Sequence, residues 1–298
     1  MALTSGLAGC GIDNLSHQTP PSVSVTPYRS AQSTPTPAPT PTPTPTPRPT
    51  DAAWTENFDG PAGTAPDASL FNYETGGNGW GNLEIETYTD RTVNAGLDGQ
   101  GDLAITARRE TYTGTDGIQR YWTSARLDTE NKFSFTFGTL SARIKIPAGT
   151  GLWPAFWLVG NNIGQVGWPA AGEIDIFEAT NQGTEISSTL HGPASGSGAT
   201  NSDGSWASGK SLKSAVSYAD NFHTYSVTKR PGHITISVDG TVVLDYVKSQ
   251  LAAGQEWVFD APSAILLNVA VGGTQPGLPD DTTPDEASML VDQLSYTP

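Results

Sequence analysis

From Leu103 to Tyr296 the chain repeatedly alternates apolar and polar residues with a period of two. Leu103-Ala-Ile-Thr-Ala-Arg108, Gly138-Thr-Leu-Ser-Ala-Arg-Ile-Lys-Ile146 and His223-Thr-Tyr-Ser-Val-Thr-Lys229 each read as a strand with one face turned inward. His233-Ile-Thr-Ile-Ser-Val-Asp239-Gly240-Thr-Val-Val-Leu-Asp245 reads as a hairpin turning at Asp239-Gly240, because that dipeptide tolerates the positive φ of a tight turn. Ala264-Ile-Leu-Leu-Asn-Val-Ala270 is apolar almost throughout, as expected of a buried strand, and Ser288-Met-Leu-Val-Asp-Gln-Leu-Ser-Tyr296 predicts a closing one. Gly151-Leu-Trp-Pro-Ala-Phe-Trp-Leu-Val159 predicts a further strand with Trp153, Ala155 and Trp157 on one face. Many short strands between Gly, Pro and Asn turns predict an all-β fold, a β-sandwich jelly roll of two packed antiparallel sheets with a concave cleft.

One strand breaks the alternation. Gly172-Glu173-Ile174-Asp175-Ile176-Phe177-Glu178 carries three carboxylates in an apolar segment. A strand sends residues i and i+2 to the same face, so Glu173 and Asp175 share one and Glu178 has the wrong parity. One extra residue, a β-bulge, would bring Glu178 beside the other two. Three acids clustered on a sheet face repel one another and are costly to bury, which makes a purely structural role a poor explanation.

Composition narrows the chemistry. Of 298 residues 33 are Gly and 23 Pro, and the 8 Trp, 9 Tyr and 9 Phe are numerous enough to pave a surface with rings. A net charge of −15 argues against nucleic acid, which needs clustered Lys and Arg. The single cysteine, Cys10, excludes an intrachain disulfide. Its setting, Leu7-Ala8-Gly9-Cys10, resembles a bacterial lipoprotein cleavage site, so residues 1–10 read as the remnant of a lipoprotein leader with Cys10 lipidated. Residues 11–50 end in Thr-Pro repeats that forbid helix and sheet ladders, giving an extended Thr/Pro-rich spacer. Residues 51–298 form the folded domain. Leader and spacer together predict a chain outside the cytoplasm, at the surface of a bacterium or secreted from it, attached to membrane only through that lipid.

Paired carboxylates beside aromatic rings are the requirement for glycoside hydrolysis. One acid protonates the leaving oxygen, the other attacks the anomeric carbon or activates water, and Trp faces receive the apolar C–H faces of sugars. Trp153, Trp157 and Trp168 all lie close to the acids in sequence.

Here the residues also carry a resemblance. Trp168-Pro-Ala-Ala-Gly-Glu-Ile-Asp-Ile-Phe-Glu178 followed by Ser188-Thr-Leu-His-Gly-Pro193 resembles the signature of glycoside hydrolase family 16, in the form found in bacterial laminarinases, which are endo-1,3-β-glucanases. Gly79-Trp-Gly-Asn82, Thr123-Ser-Ala-Arg126, Leu267-Asn-Val-Ala-Val-Gly-Gly273 and Met289-Leu-Val-Asp292 match the same pattern in order, so the resemblance covers residues 54–298. It implies a retaining mechanism with Glu173 as nucleophile, Glu178 as acid/base and Asp175 between them. It implies that His191 lines the cleft and that Asn82, Arg126 and Asn268 donate to sugar hydroxyls; an ion-pair role for Arg126 stays open. It implies a structural calcium held by the Asp292 carboxylate with backbone oxygens near Asn57 and Gly101, no required cofactor, and a monomer whose partner is β-glucan. The spacing Glu-x-Asp-x-x-Glu belongs to the laminarinase-like form, whereas Glu-x-Asp-x-Glu accompanies enzymes that cut mixed-linkage glucan. Two alternatives remain open: the same chemistry on mixed-linkage glucan or galactan, and a non-catalytic β-glucan-binding protein on the same fold. His223 and His233 have no carboxylate at ligand spacing and read as structural.

Overall fold

The computed structural model describes residue 48 and residues 50–298, which fold as one compact unit. Cys10, the leader and nearly all of the Thr/Pro-rich spacer lie outside the described residues. Arg48, near the end of that spacer, pairs with Glu56 and lies over the Trp54 ring at 4.9 Å.

Two sheets face each other. The outer sheet runs Thr241–Val247, His233–Val238, His223–Arg230, Gly138–Lys145, Glu286–Thr297, Leu103–Thr113, Gln119–Ser124 and Thr87–Tyr88. Trp54–Glu56 adds to Glu286–Thr297, and Ala95–Leu97 to Leu103–Thr113. The cleft sheet runs Ser205–Lys213, Glu185–Pro193, Glu173–Ala179, Leu152–Gly160, Ser263–Val271, Arg126–Asp128 and Asn72–Glu74, with Ser134–Phe135 also on Ser263–Val271. Among the described strands the pairing is antiparallel apart from Thr87–Tyr88 against Gln119–Ser124. The chain changes sheets at the buried Ala125, between Gln119–Ser124 and Arg126–Asp128.

Every strand expected from the alternation is present within a residue or a few of its expected limits. The hairpin turns at Asp239 (φ 49°) and Gly240 (φ 76°), as its Asp-Gly pair requires. All nine residues of Ser263–Val271 are buried because this central strand is covered on both faces. Ile265, Leu267, Val269 and Val271 enter the core between the sheets, while Leu266, Asn268 and Ala270 floor the cleft. Leu152–Gly160 divides the same way, with Leu152, Phe156 and Leu158 in the core and Trp153, Trp157 and Val159 in the cleft. The period of two thus decides which half of each strand stabilises the fold and which half lines the site.

In the outer sheet both structural histidines have carboxylate partners: His223 Nδ1 lies 2.6 Å from Asp239 Oδ2 in the hairpin turn, and His233 Nε2 lies 2.6 Å from Asp245 Oδ1 on the neighbouring strand. Asp292 Oδ2 is paired to Arg143 Nη1 at 2.9 Å, and Asn57 Oδ1 accepts from Gln293 Nε2 at 3.1 Å. Calcium favours a shell of six to eight oxygens, and one at Asp292 would draw mainly on the main-chain oxygens expected near Asn57 and Gly101.

Candidate active site

The parity problem is solved by a bulge in the acid strand. Towards Leu152–Gly160, Phe177 pairs with Phe156 and Asp175 with Trp157; towards Glu185–Pro193, Asp175 pairs with Thr189 and Glu178 with Ser187. Ile176 and Phe177 therefore together oppose the single residue Ser188. Both turn into the core, and the skipped step returns Glu178 to the face of Glu173 and Asp175. The Ser188 hydroxyl donates to the Ile176 carbonyl oxygen at 2.8 Å, satisfying an acceptor that the interrupted ladder leaves over. Gly172 enters this strand at φ 76°, and a Cβ there would lie 2.5 Å from Val258 Cγ2, so the residue before Glu173 is held to glycine.

The acids sit in a cleft of about 530 Å³. Tryptophan N–H groups hold the two glutamates. Trp153 Nε1 donates to Glu178 Oε1 at 2.9 Å, and Trp168 Nε1 donates to Glu173 Oε2 at 3.0 Å. Trp153 is almost wholly buried, whereas Trp168 is 42% exposed and offers a free ring at the rim. His191 stands opposite Glu173 in register, with Nε2 3.2 Å from Asp175 Oδ2.

Burial raises all three carboxyls. The Glu173 carboxyl is pushed up to about 8 by burial and the Asp175 charge, against His191 and Arg126. The Glu178 carboxyl is pushed up to about 7 by burial and the Glu173 charge, against His191 and the N–H donors of Trp153 and Gln275. Asp175 is raised well above the usual carboxylate range by burial and by Glu178. The cluster thus keeps protons at a pH where ordinary carboxyls have lost them, and it can supply both an acid and a base near neutrality.

A carboxyl cluster on a bulged strand, floored by tryptophan in a two-sheet jelly roll, was compared with known proteins. Residues 83–290 match the family described as glycosyl hydrolases family 16. The chain belongs to that family. A beta-glucanase of Rhodothermus marinus is 33% identical over 253 residues, covering 82% of this chain and 84% of the relative. The laminarinase catalytic domain of Thermotoga maritima superposes with a TM-score of 0.72 at 39% identity, covering 82% of this chain and 96% of that one. The endo-beta-1,3-glucanase of Pyrococcus furiosus gives 0.71 at 40%, covering 82% and 93%.

In this family 16 chain several expected sugar donors line the cleft and also have protein partners. Arg126 pairs with Glu74, and its guanidinium lies between the rings of Trp80 and Trp157 at 4.7 and 4.6 Å. The ion pair left open for it is formed. Asn268 is 6% exposed, gives Nδ2 to the Tyr88 hydroxyl at 3.1 Å and receives Trp157 Nε1 on Oδ1 at 2.8 Å, so it braces the cleft floor. Asn82 lines the cleft with Nδ2 donated to Glu84 Oε1 at 3.1 Å.

Other lining residues were not singled out in the sequence. Gln275 reaches Glu178 Oε1 with Nε2 at 3.3 Å, and Glu74, Trp80 and Glu84 form one wall. A lone Gln and scattered acids leave no local signal, because only the folded sheet gathers them. Asn201 and Asp203 also line the cleft, and the glycine-rich segment Ala194–Ala199 just before them contributes no lining residue. Glu173, Asp175 and His191 bring donor atoms within 4.8 Å of one another, the one such grouping among the described residues. It joins two of the three acid-strand carboxyls to the cleft histidine, and we assign it no metal.

Proposed function

We propose that this chain is a retaining endo-β-1,3-glucanase with Glu173 as nucleophile and Glu178 as acid/base. The observation that carries the reading is the bulge, which brings Glu178 to the face of Glu173 inside a tryptophan-walled cleft. A retaining hydrolase needs its two carboxyls close together on one side of the scissile bond. The Glu173 carboxylate attacks the anomeric carbon while the Glu178 hydroxyl gives its proton to the departing glycosidic oxygen. The products are a glycosyl ester on Glu173 and a shortened chain with a new hydroxyl. The Glu178 carboxylate then takes a proton from water, the water oxygen bonds to the anomeric carbon, and Glu173 leaves as carboxylate with configuration retained. Asp175, between them and beside His191, keeps charge and protons apportioned through the cycle.

The β-1,3 linkage is supported by the relatives named above and by the longer Glu-x-Asp-x-x-Glu spacing. Turnover, rather than binding alone, is supported by the presence of all three acids with raised proton affinity. The test is reducing-end release from laminarin, with mixed-linkage glucan and galactan alongside. Glu173→Gln and Glu178→Gln are expected to lose about 10²–10⁴-fold in activity; full activity in either refutes the roles. Leu7-Ala8-Gly9-Cys10 supports placement outside the cytoplasm with a lipid on Cys10, which intact-mass measurement of membrane-extracted protein would reveal.

A further inference from the structure

We propose that Glu84 is a positioning residue that, through Tyr88 and Asn268, fixes the indole of Trp157 on the floor of the cleft. The inference rests on the glucan-cleft reading for its kinetic consequence, though not for its geometry.

Four side chains form one directed chain. Trp157 Nε1 donates to Asn268 Oδ1 at 2.8 Å, Asn268 Nδ2 donates to the Tyr88 hydroxyl at 3.1 Å, and that hydroxyl donates to Glu84 Oε2 at 2.9 Å. Asn82 Nδ2 occupies the other Glu84 oxygen at 3.1 Å. An indole N–H can only donate, and a carboxylate can only accept. The amide and the phenol between them can do either, so the two ends set their direction. Glu84, Tyr88 and Asn268 are 8%, 1% and 6% exposed, which leaves little access for water to replace a broken link.

The same residues are closed into a ring by stacking. The Arg126 guanidinium lies between Trp157 and Trp80, and Trp80 meets Tyr88 edge-on at 5.5 Å. Trp157 is thus held on its face by Arg126 and on its edge by Asn268. Beside Glu84 the fully buried Glu86 accepts the Val271 N–H at 2.7 Å, and burial, then the Glu84 charge, hold its carboxyl well above the usual range.

Glu84→Leu removes both acceptors, so the Tyr88 hydroxyl loses the partner that fixes its direction. If Tyr88 turns to donate to Asn268, the Asn268 amide flips and sets its NH₂ against the Trp157 N–H, two donors facing each other. Glu84→Gln is the conservative variant: its oxygen can stay on Tyr88 while the Asn82 amide turns over to accept the new NH₂. None of Glu173, Asp175 and Glu178 belongs to the chain.

The experiment has two arms. In the first, kcat and KM on laminarin are measured for wild type, Glu84→Leu, Glu84→Gln, Trp157→Phe and the Glu84→Leu/Trp157→Phe double variant. Glu84→Leu is expected to lose about fivefold to tenfold in kcat/KM, the worth of one net hydrogen bond, chiefly through KM and with an unchanged pH profile, and Glu84→Gln is expected to keep most of it. In Trp157→Phe, which keeps a ring and lacks the N–H, adding Glu84→Leu is expected to change little further. In the second arm the indole N–H signal of Trp157, assigned by its absence in Trp157→Phe, is followed by hydrogen exchange, and Glu84→Leu is expected to exchange faster. Unchanged exchange, a shifted pH profile, or an equal loss in both backgrounds would overturn the proposal. Wild-type inactivity on laminarin would instead sink the glucanase reading, with the exchange arm still deciding the role of Glu84.

Discussion

The hydroxyl of Ser188 donates to the carbonyl oxygen of Ile176 at 2.8 Å, and this bond closes the bulge that turns Glu178 into the cleft. Ser188 is fully buried, so nothing else stands ready to take its place. Ser188→Ala is expected to lose about 1–2 kcal/mol of stability, read from urea unfolding. Its kcat on laminarin should fall more than its KM rises, because the bulge sets the Glu178 position rather than the sugar platforms. Wild-type kcat in Ser188→Ala would contradict this.

The raised carboxyls store instability in the folded state. Glu178 is pushed up to about 7 when folded, above its ordinary value of 4.5, so the folded protein binds more protons between those limits. The contribution of this group to stability is therefore complete below about 4.5 and is lost as pH rises through 7. Glu178→Gln is expected to melt higher than wild type at pH 8 and to show much less advantage at pH 4. Differential scanning calorimetry at the two pH values checks the sign.

Gln275 tunes the same group. Its N–H and that of Trp153 both favour the charged form of Glu178, so both hold its pKa down. In Gln275→Leu the alkaline limb of kcat/KM on laminarin should move to higher pH by a few tenths of a unit. A limb that moves to lower pH would rule this out.

Lys229 shows the opposite linkage. It is fully buried, gives Nζ to Ser263 Oγ at 2.7 Å and to the Ala261 carbonyl at 2.9 Å, and burial pushes it down to about 7 from 10.5. The unfolded chain binds the extra proton between those limits, so this group makes stability rise with pH from about 7 towards 10.5. Lys229→Met removes that rise. The stability of Lys229→Met relative to wild type should decline steadily from pH 7 to pH 10, as measured by denaturant titration; a constant difference would refute the assignment.

The strands were legible because burial on one face imposes a period of two, and residues such as Ile265, Leu267 and Val269 write that period into the chain. The acid trio was legible for the converse reason: Glu173, Asp175 and Glu178 break an apolar run where no packing role explains them. The tryptophans of Leu152–Gly160 were legible by parity. The protein partners of Arg126, Asn268, His223 and His233 were not legible, because each lies far along the chain or on another element. Glu74 is 52 residues from Arg126, and Tyr88 is 180 residues from Asn268.

The sequence alone determined the two-sheet architecture, the strand that carries the acids, and the need for one extra residue before Glu178. Tertiary structure alone decided how that extra residue is absorbed, with Ser188 capturing the Ile176 carbonyl, and which polar side chains remain free for a sugar. The reason is physical. Alternation is a local consequence of burial and survives in any window of the chain. Hydrogen-bond partners across a sheet are chosen by register, and register exists only once the strands have paired.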